Sequence, residues 1–375
     1  MYTASVSTIQ RTEEIRRPIP IQAIDYIEFY VGNAKQTAYF FKSAFGFTPI
    51  AYSGPETGVK DRVSYVLEQN EIRFVITTSL SNDDDVANHV HKHGDGIRDV
   101  ALRVEDVDAT FSEVSSRGAK VLQEPSTVRD EHGVIRKATI ATYGDTVHTF
   151  IDRRNYSGPL APGYIRRETS AQPVGLNRVD HVVGNVELGK MDEWVDYYQK
   201  VMGFYQLISF DDKDISTEYS ALRSKVVHDG TGRIKFPINE PAAGRRRSQI
   251  QEYLDFYKGP GVQHLAIATD NIIHTISLLR ERGIEFLNVP DSYYDAFQER
   301  VGNINLNIED LRRLRILVDR DDKGFLLQLF TKPLVDRPTL FFEIIERQGS
   351  ESFGKGNFKA LFEAIEREQA LRGNL

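Results

Sequence analysis

Between Ile24 and Val31 the chain reads Ile-Asp-Tyr-Ile-Glu-Phe-Tyr-Val, and after Gly32-Asn33 the apolar positions change spacing to Ala38, Phe41 and Phe45 before Gly46-Phe47. That change predicts a strand, a turn and then a helix. The order recurs later. Val179-Asp180-His181-Val182-Val183-Gly184-Asn185-Val186 leads into Met191, Trp194, Val195, Tyr198 and Met202, an i, i+3, i+4, i+7, i+11 stripe closing on Gly203-Phe204. Phe40 to Phe47 aligns with Tyr197 to Phe204 without a gap. A second pair repeats: Gly96-Ile97-Arg98-Asp99-Val100-Ala101, with Arg117-Gly118 and Pro125 after it, matches Gly261-Val262-Gln263-His264-Leu265-Ala266, Arg282-Gly283 and Pro290, each landmark displaced by 165 residues. Such self-similarity predicts two related domains, each of two modules in which a strand, a helix and further strands follow one another. The class is α+β, with helices covering one side of a curling sheet.

Tyr156-Ser157-Gly158-Pro159-Leu160-Ala161-Pro162-Gly163 and the polar residues up to Pro173 and Gly175 have linker composition. This divides the chain into a mobile tail (1–21), an N-terminal domain (22–160), a linker (161–175) and a C-terminal domain (176–375). The 375 residues exceed what one core usually serves. A net charge of -7 gives no reason to expect nucleic acid or an anionic membrane as partner. No apolar run is long enough to span a bilayer, and Arg11, Glu13, Glu14, Arg16 and Arg17 stand where a signal peptide would be apolar, so a cytoplasmic protein is expected. There are no cysteines, which excludes disulfides, thiolate catalysis and iron–sulfur clusters; any metal must be held by nitrogen and oxygen.

Three polar residues interrupt apolar strands: His181, His264 and Glu343. A carboxylate in such surroundings needs a partner. Residues 341, 343 and 345 share one strand face, so Glu343 points with Phe341 and Glu346 points away. Two imidazoles and one carboxylate form the facial triad suited to a non-haem Fe(II) oxygenase. Where the second copy has His181 and His264, the first has Tyr26 and Asp99, which confines a metal to the C-terminal domain.

From about residue 22 onward the chain resembles the 4-hydroxyphenylpyruvate dioxygenase family of the vicinal oxygen chelate superfamily. The blocks that carry the resemblance are Val179-Asp180-His181, Lys235-Phe236-Pro237-Ile238-Asn239-Glu240-Pro241, Gly261 to Ala266, and Phe341-Phe342-Glu343 followed by Gly354-Lys355-Gly356-Asn357-Phe358. The resemblance implies paired βαβββ modules forming a curled, barrel-like sheet in each domain, with helices outside. It implies one Fe(II) per chain on His181, His264 and Glu343. It also implies a substrate pocket with polar Ser224, Asn239, Gln249, Gln263, Gln328 and Asn357, aromatic Phe330, Phe341, Phe353 and Phe358, and Pro237 as a structural neighbour. Aryl faces suit an aromatic substrate, and neutral amides can meet a phenol or carboxylate without adding charge beside a metal. The implied substrates are 4-hydroxyphenylpyruvate and O2, giving homogentisate and CO2 in tyrosine breakdown, by a homodimer or homotetramer. The C-terminal stripe Phe358, Leu361, Phe362 and Ile365 would form a lid helix hinged at the preceding glycines.

Other readings compete. The related 4-hydroxymandelate synthase shares fold, ligands and substrate; a metal-free binding module of this fold, glyoxalase chemistry and extradiol chemistry are further alternatives. His89-Val90-His91-Lys92-His93 is metal-like in composition, but Asn82-Asp83-Asp84-Asp85 before it and Gly94-Asp95-Gly96 after it predict a solvated loop. Arg245-Arg246-Arg247 follows Pro241-Ala242-Ala243-Gly244 and reads as an exposed loop. No Walker loop, dinucleotide fingerprint or Gly-x-Ser-x-Gly elbow occurs.

Overall fold

Each strand–helix–strands repeat folds as one βαβββ module, and two modules side by side make one curled sheet. The structure, a computed structural model, describes residues 17–211, 220–295, 297–302 and 306–374. The first half comprises strands β1 (Ile21–Tyr30), β2 (Thr48–Ser53), β3 (Arg62–Gln69), β4 (Ile72–Ser79), β5 (Gly96–Val104), β6 (Val121–Asp130), β7 (Gly133–Ala141), β8 (Val147–Asp152) and β9 (Ile165–Arg166). Helices α1 (Ala34–Ser43), α2 (Asp85–His93) and α3 (Val107–Ser116) lie between them. The second half comprises β10 (Leu176–Asn185), β11 (Tyr205–Phe210), β12 (Ala221–His228), β13 (Lys235–Ala242), β14 (Gly261–Thr269), β15 (Leu317–Arg320), β16 (Phe325–Phe330) and β17 (Phe341–Gln348). Its helices are α4 (Met191–Tyr197), α5 (Gln249–Tyr257), α6 (Ile272–Glu281), three short ones, α7 (Ser292–Asp295), α8 (Phe297–Val301) and α9 (Ile308–Leu314), and the terminal α10 (Phe358–Leu371).

The second sheet runs β11-β12-β13-β10-β14-β17-β16-β15, and the first repeats this order as β2-β3-β4-β1-β5-β8-β7-β6, with β9 added beside β2. That edge strand is built from Ile165 and Arg166, inside the stretch whose composition reads as linker; they pair with Tyr52 and Ala51. Of the expected tail, residues 1–16 lie outside the described residues, while Ile19 is buried and its N–H donates to the Met202 carbonyl at 3.0 Å.

Register sets the correspondence between the halves. Asp99 pairs with Val147 and Leu102 with Phe150, while His264 pairs with Phe341 and Ile267 with Ile344. On that register Thr149 stands where Glu343 does, and Arg153 where Arg347 does. Parallel pairing of Phe29 with Ile76 and Gly184 with Ile238 likewise sets Arg73 against Lys235.

The two halves share one apolar core. Phe342, whose neighbour Glu343 faces the other side of β17, stacks on Phe41 (centroids 5.8 Å, 17°) and meets Phe45 and Phe74 edge-on or tilted. One strand therefore joins the halves with one face and serves the candidate site with the other.

Candidate metal centre

His181 on β10, His264 on β14 and Glu343 on β17 come from three adjacent strands. His181 and Glu343 both pair with Ala266, two residues beyond His264, so all three side chains project from the same face around a residue too small to fill the space. Their ligand atoms lie within 4.8 Å of one another. His181 Nε2 is 3.2 Å and His264 Nε2 3.5 Å from Glu343 Oε2, and all three residues are buried.

The other ring nitrogens are already engaged. His181 Nδ1 bonds Asp180 Oδ1 at 2.8 Å and His264 Nδ1 bonds Gln263 Oε1 at 3.1 Å. With each Nδ1–H donating to an oxygen, Nε2 is the nitrogen left to face a metal, the arrangement that orients histidines at metal centres. Electrostatics keep the carboxylate anionic. Burial alone would raise Glu343, yet the two imidazoles hold it down at about 2. Burial pushes His264 below its ordinary value, whereas for His181 the pull of Glu343 and Asp180 overcomes burial and raises it. The donors fit an N,N,O divalent metal.

A cavity of about 90 Å³ lies over these three residues, lined by Ser224, Pro237, Asn239, Gln249, Gln263, Gln328, Phe330, Phe341, Phe353 and Phe358. The ring of Phe341 stacks on that of His264 (4.7 Å, 19°) and Phe353 meets His181 edge-on at 5.1 Å. Gln328 Nε2 donates to Glu343 Oε1 at 3.3 Å, and its Oε1 accepts from Asn357 Nδ2 at 3.2 Å. Gln263 enters the cavity although it adjoins His264 in the strand. Val183 pairs with His264 and Gly184 with Val262, so Gln263 occupies a β-bulge that turns it to the face simple alternation denies it.

Residues 23–149 and 178–329 match the Glyoxalase/Bleomycin resistance protein/Dioxygenase superfamily. The chain is 47% identical to 4-hydroxyphenylpyruvate dioxygenase of Yarrowia lipolytica, over 94% of this chain and 93% of that one. It is 48% identical to the enzyme of that name from Dictyostelium discoideum, over 95% and 100%. The chain belongs to the 4-hydroxyphenylpyruvate dioxygenase family. Among solved structures, a triple mutant of 4-hydroxymandelate synthase from Streptomyces coelicolor superposes with a TM-score of 0.86 at 35% identity, over 94% of this chain and 100% of that one.

All ten cavity positions above line one space; Asn357 stands behind it, within hydrogen-bonding reach of Gln328 and of the Tyr293 hydroxyl (2.6 Å). Sequence reasoning missed the apolar wall, Val183, Phe210, Leu222 and Val226, which shows no feature beyond strand patterning. It also missed Asp180 and Arg347, whose fork lies against His181. The stripe Phe358, Leu361, Phe362 and Ile365 on α10 lines the same cavity.

The loop expected around the histidine run is overturned as well. His89, His91 and His93 lie on helix α2, not in a solvated loop, and His89 and His93 are buried against Tyr257 of the second half. The acidic run that suggested a turn supplies the helix cap, Asp84 accepting from Ala87 N, and Gly94 supplies its end. Arg245 to Arg247 do form an exposed bend.

Proposed function

We propose that the chain is an Fe(II)-dependent dioxygenase converting 4-hydroxyphenylpyruvate and O2 to homogentisate and CO2. The observation that carries this reading is the buried two-histidine, one-glutamate set with both Nδ1 atoms tied back, in a chain close to half identical to enzymes named for that substrate. Fe(II) on the triad would supply sites for the 2-oxo acid and for O2, with the substrate itself providing the electrons. The equation balances with both oxygen atoms of O2 kept in the products and no further reductant.

The chain's own residues bind, orient and exclude water. Gln328 steadies one oxygen of Glu343, leaving the other toward the histidines. Ser224, Asn239, Gln249 and Gln263 offer neutral partners to the substrate's phenol and carboxylate. Phe341, Phe353 and Phe358 give aryl faces for its ring, and Phe330 backs Phe341. Helix α10 lines one side of the cavity and would keep bulk water from the reacting groups. A cytoplasmic homo-oligomer is the expected form; among the described residues no helix is long and apolar enough to cross a membrane.

Purified chain reconstituted anaerobically with Fe(II) should consume O2 and release CO2 one for one with 4-hydroxyphenylpyruvate. Homogentisate and hydroxymandelate are isomers, so the product must be separated chromatographically against standards and not weighed alone. Hydroxymandelate as product would place the chain with its structural relative in ring-sparing chemistry; absence of iron-dependent O2 uptake would leave a binding module.

A further inference from the structure

Asp180 has no partner in the β10–β14 ladder: Val179 pairs with Ile267 and His181 with Ala266, so the aspartate occupies a bulge. From there its carboxylate accepts from Arg347 Nε at 2.9 Å and Nη2 at 2.8 Å, a two-point fork, and from Lys235 at 3.4 Å, with its side chain wholly buried. The oxygen facing Arg347 Nη2 also takes His181 Nδ1 at 2.8 Å. Arg347 does not stop there. Its Nη1 donates to the carbonyls of Ser350 (3.3 Å) and Ser352 (2.6 Å), and its guanidinium lies 5.5 Å over the Phe353 ring that touches His181. Ser350–Phe353 is the segment that leads into Gly354 and α10.

The first half holds the same clasp without the metal residues. Asp25 sits in the matching bulge, between Ile24, paired with Leu102, and Tyr26, paired with Ala101. Arg153, the counterpart of Arg347, forks onto it (Nε 2.9 Å), Arg103 donates at 2.8 Å, and Arg73, the counterpart of Lys235, stands 3.7 Å away. There the neighbouring Tyr26 hydroxyl bonds Asp99, and Arg153 reaches the Leu160 carbonyl. Joining the strands is thus the clasp's common task. Contact with a histidine and with the entry to α10 are additions of the second half.

We infer that Asp180 and Arg347 are positioning residues of the metal centre, fixing the His181 ring through its Nδ1 and tying that ring to the segment from which the covering helix starts. This rests on the metal reading proposed above. The first half provides the control, because a clasp that only joined strands would behave alike in both.

The test compares Asp180→Asn and Arg347→Lys with Asp25→Asn and Arg153→Lys in the full chain. Anaerobic Fe(II) titration gives affinity, the visible bands of Co(II)-loaded protein report ligand geometry, and limited proteolysis reports release of residues 350–374. Asp180→Asn and Arg347→Lys should each weaken metal binding about 10–100-fold, the range for outer-sphere partners, and shift the Co(II) bands. Arg347→Lys should also hasten cleavage beyond residue 350. The first-half pair should lower the melting temperature while leaving affinity within about twofold of wild type. Unchanged affinity and spectrum in the second-half variants, or equal changes in both halves, overturns the inference while leaving the function reading intact; a wild type that takes up neither metal overturns both. If Asp180→Asn does not fold, Arg347→Lys, which keeps the charge and loses the fork, decides alone.

Discussion

Where the second half carries His181, His264 and Glu343, the first carries Tyr26, Asp99 and Thr149 on strands of the same order and register. The electrostatic outcomes are opposite. Two imidazoles hold Glu343 at about 2, while Asp99, buried with Glu28 nearby and no imidazole beside it, is pushed up to about 7. Tyr26 donates to Asp99 at 3.2 Å and the Thr149 N–H at 3.1 Å, so the first half pairs its carboxylate with a hydroxyl and an amide where the second sets its carboxylate beside two ring nitrogens. The fold supplies a face and a spacing; three side chains decide whether that face could hold a metal ion.

The largest effect should come from breaking the metal side of this pair. Glu343→Ala would remove the one anionic donor of the proposed iron site and should depress both Fe(II) affinity and O2 uptake by well over the roughly 100-fold that outer-sphere changes reach, with far-UV circular dichroism unchanged. Thr149→Ala, its first-half counterpart, should leave turnover within about twofold of wild type. Near-normal turnover by Glu343→Ala would remove the carboxylate from the site.

Next comes the self-satisfied side. Asp99 has a folded pKa above its unfolded one, so the folded state holds the proton: that stability is complete below about 4 and is lost as pH rises through 7. Glu28, raised by burial, slopes the same way, and Arg62, Arg98 and Lys137 oppose it. Asp99→Asn should flatten the decline, gaining on wild type by on the order of 2 kcal/mol between pH 5 and pH 8, read from denaturant unfolding. An unchanged slope would mean that Asp99 is ionised in the folded state.

A smaller effect should follow at the entrance to α10. Gly354 has φ +78°, and a Cβ there would stand 2.1 Å from Gln328 Oε1, the side chain that steadies Glu343. Gly354→Ala should cost about 1–2 kcal/mol through the left-handed backbone and displace Gln328, lowering kcat more than it raises KM. Wild-type kcat in a correctly folded variant would sever the helix entrance from the site.

Much of this was legible in the chain. Polar residues in apolar strands marked the triad, and the internal repeat confined it to one half, because Tyr26 and Asp99 showed that the strands do not themselves require histidines. What escaped notice was geometry between distant strands. Asp180 and Arg347 are 167 residues apart, and only a bulge turns the one toward the other. Gln263 needed a bulge too, which alternation cannot foresee. The histidines of α2 misled for another reason: Asp84 and Gly94 carry the same residue types whether they end a helix or make a turn.

That helix offers the mildest test of the comparison. His89 and His93 are four residues apart and so share the face turned to Tyr257, with His93 Nε2 held by Asp145 at 2.8 Å, whereas His91 points outward and is exposed. Burial has pushed His89 down to about 3, which keeps its ring neutral at that contact between the halves. The three rings therefore cannot converge on one ion as strand-borne ligands do. His91→Ala should leave metal content and turnover unchanged and stability within about 0.5 kcal/mol of wild type. Loss of bound metal in that variant would mean that the first half, and not His181, His264 and Glu343, holds the ion.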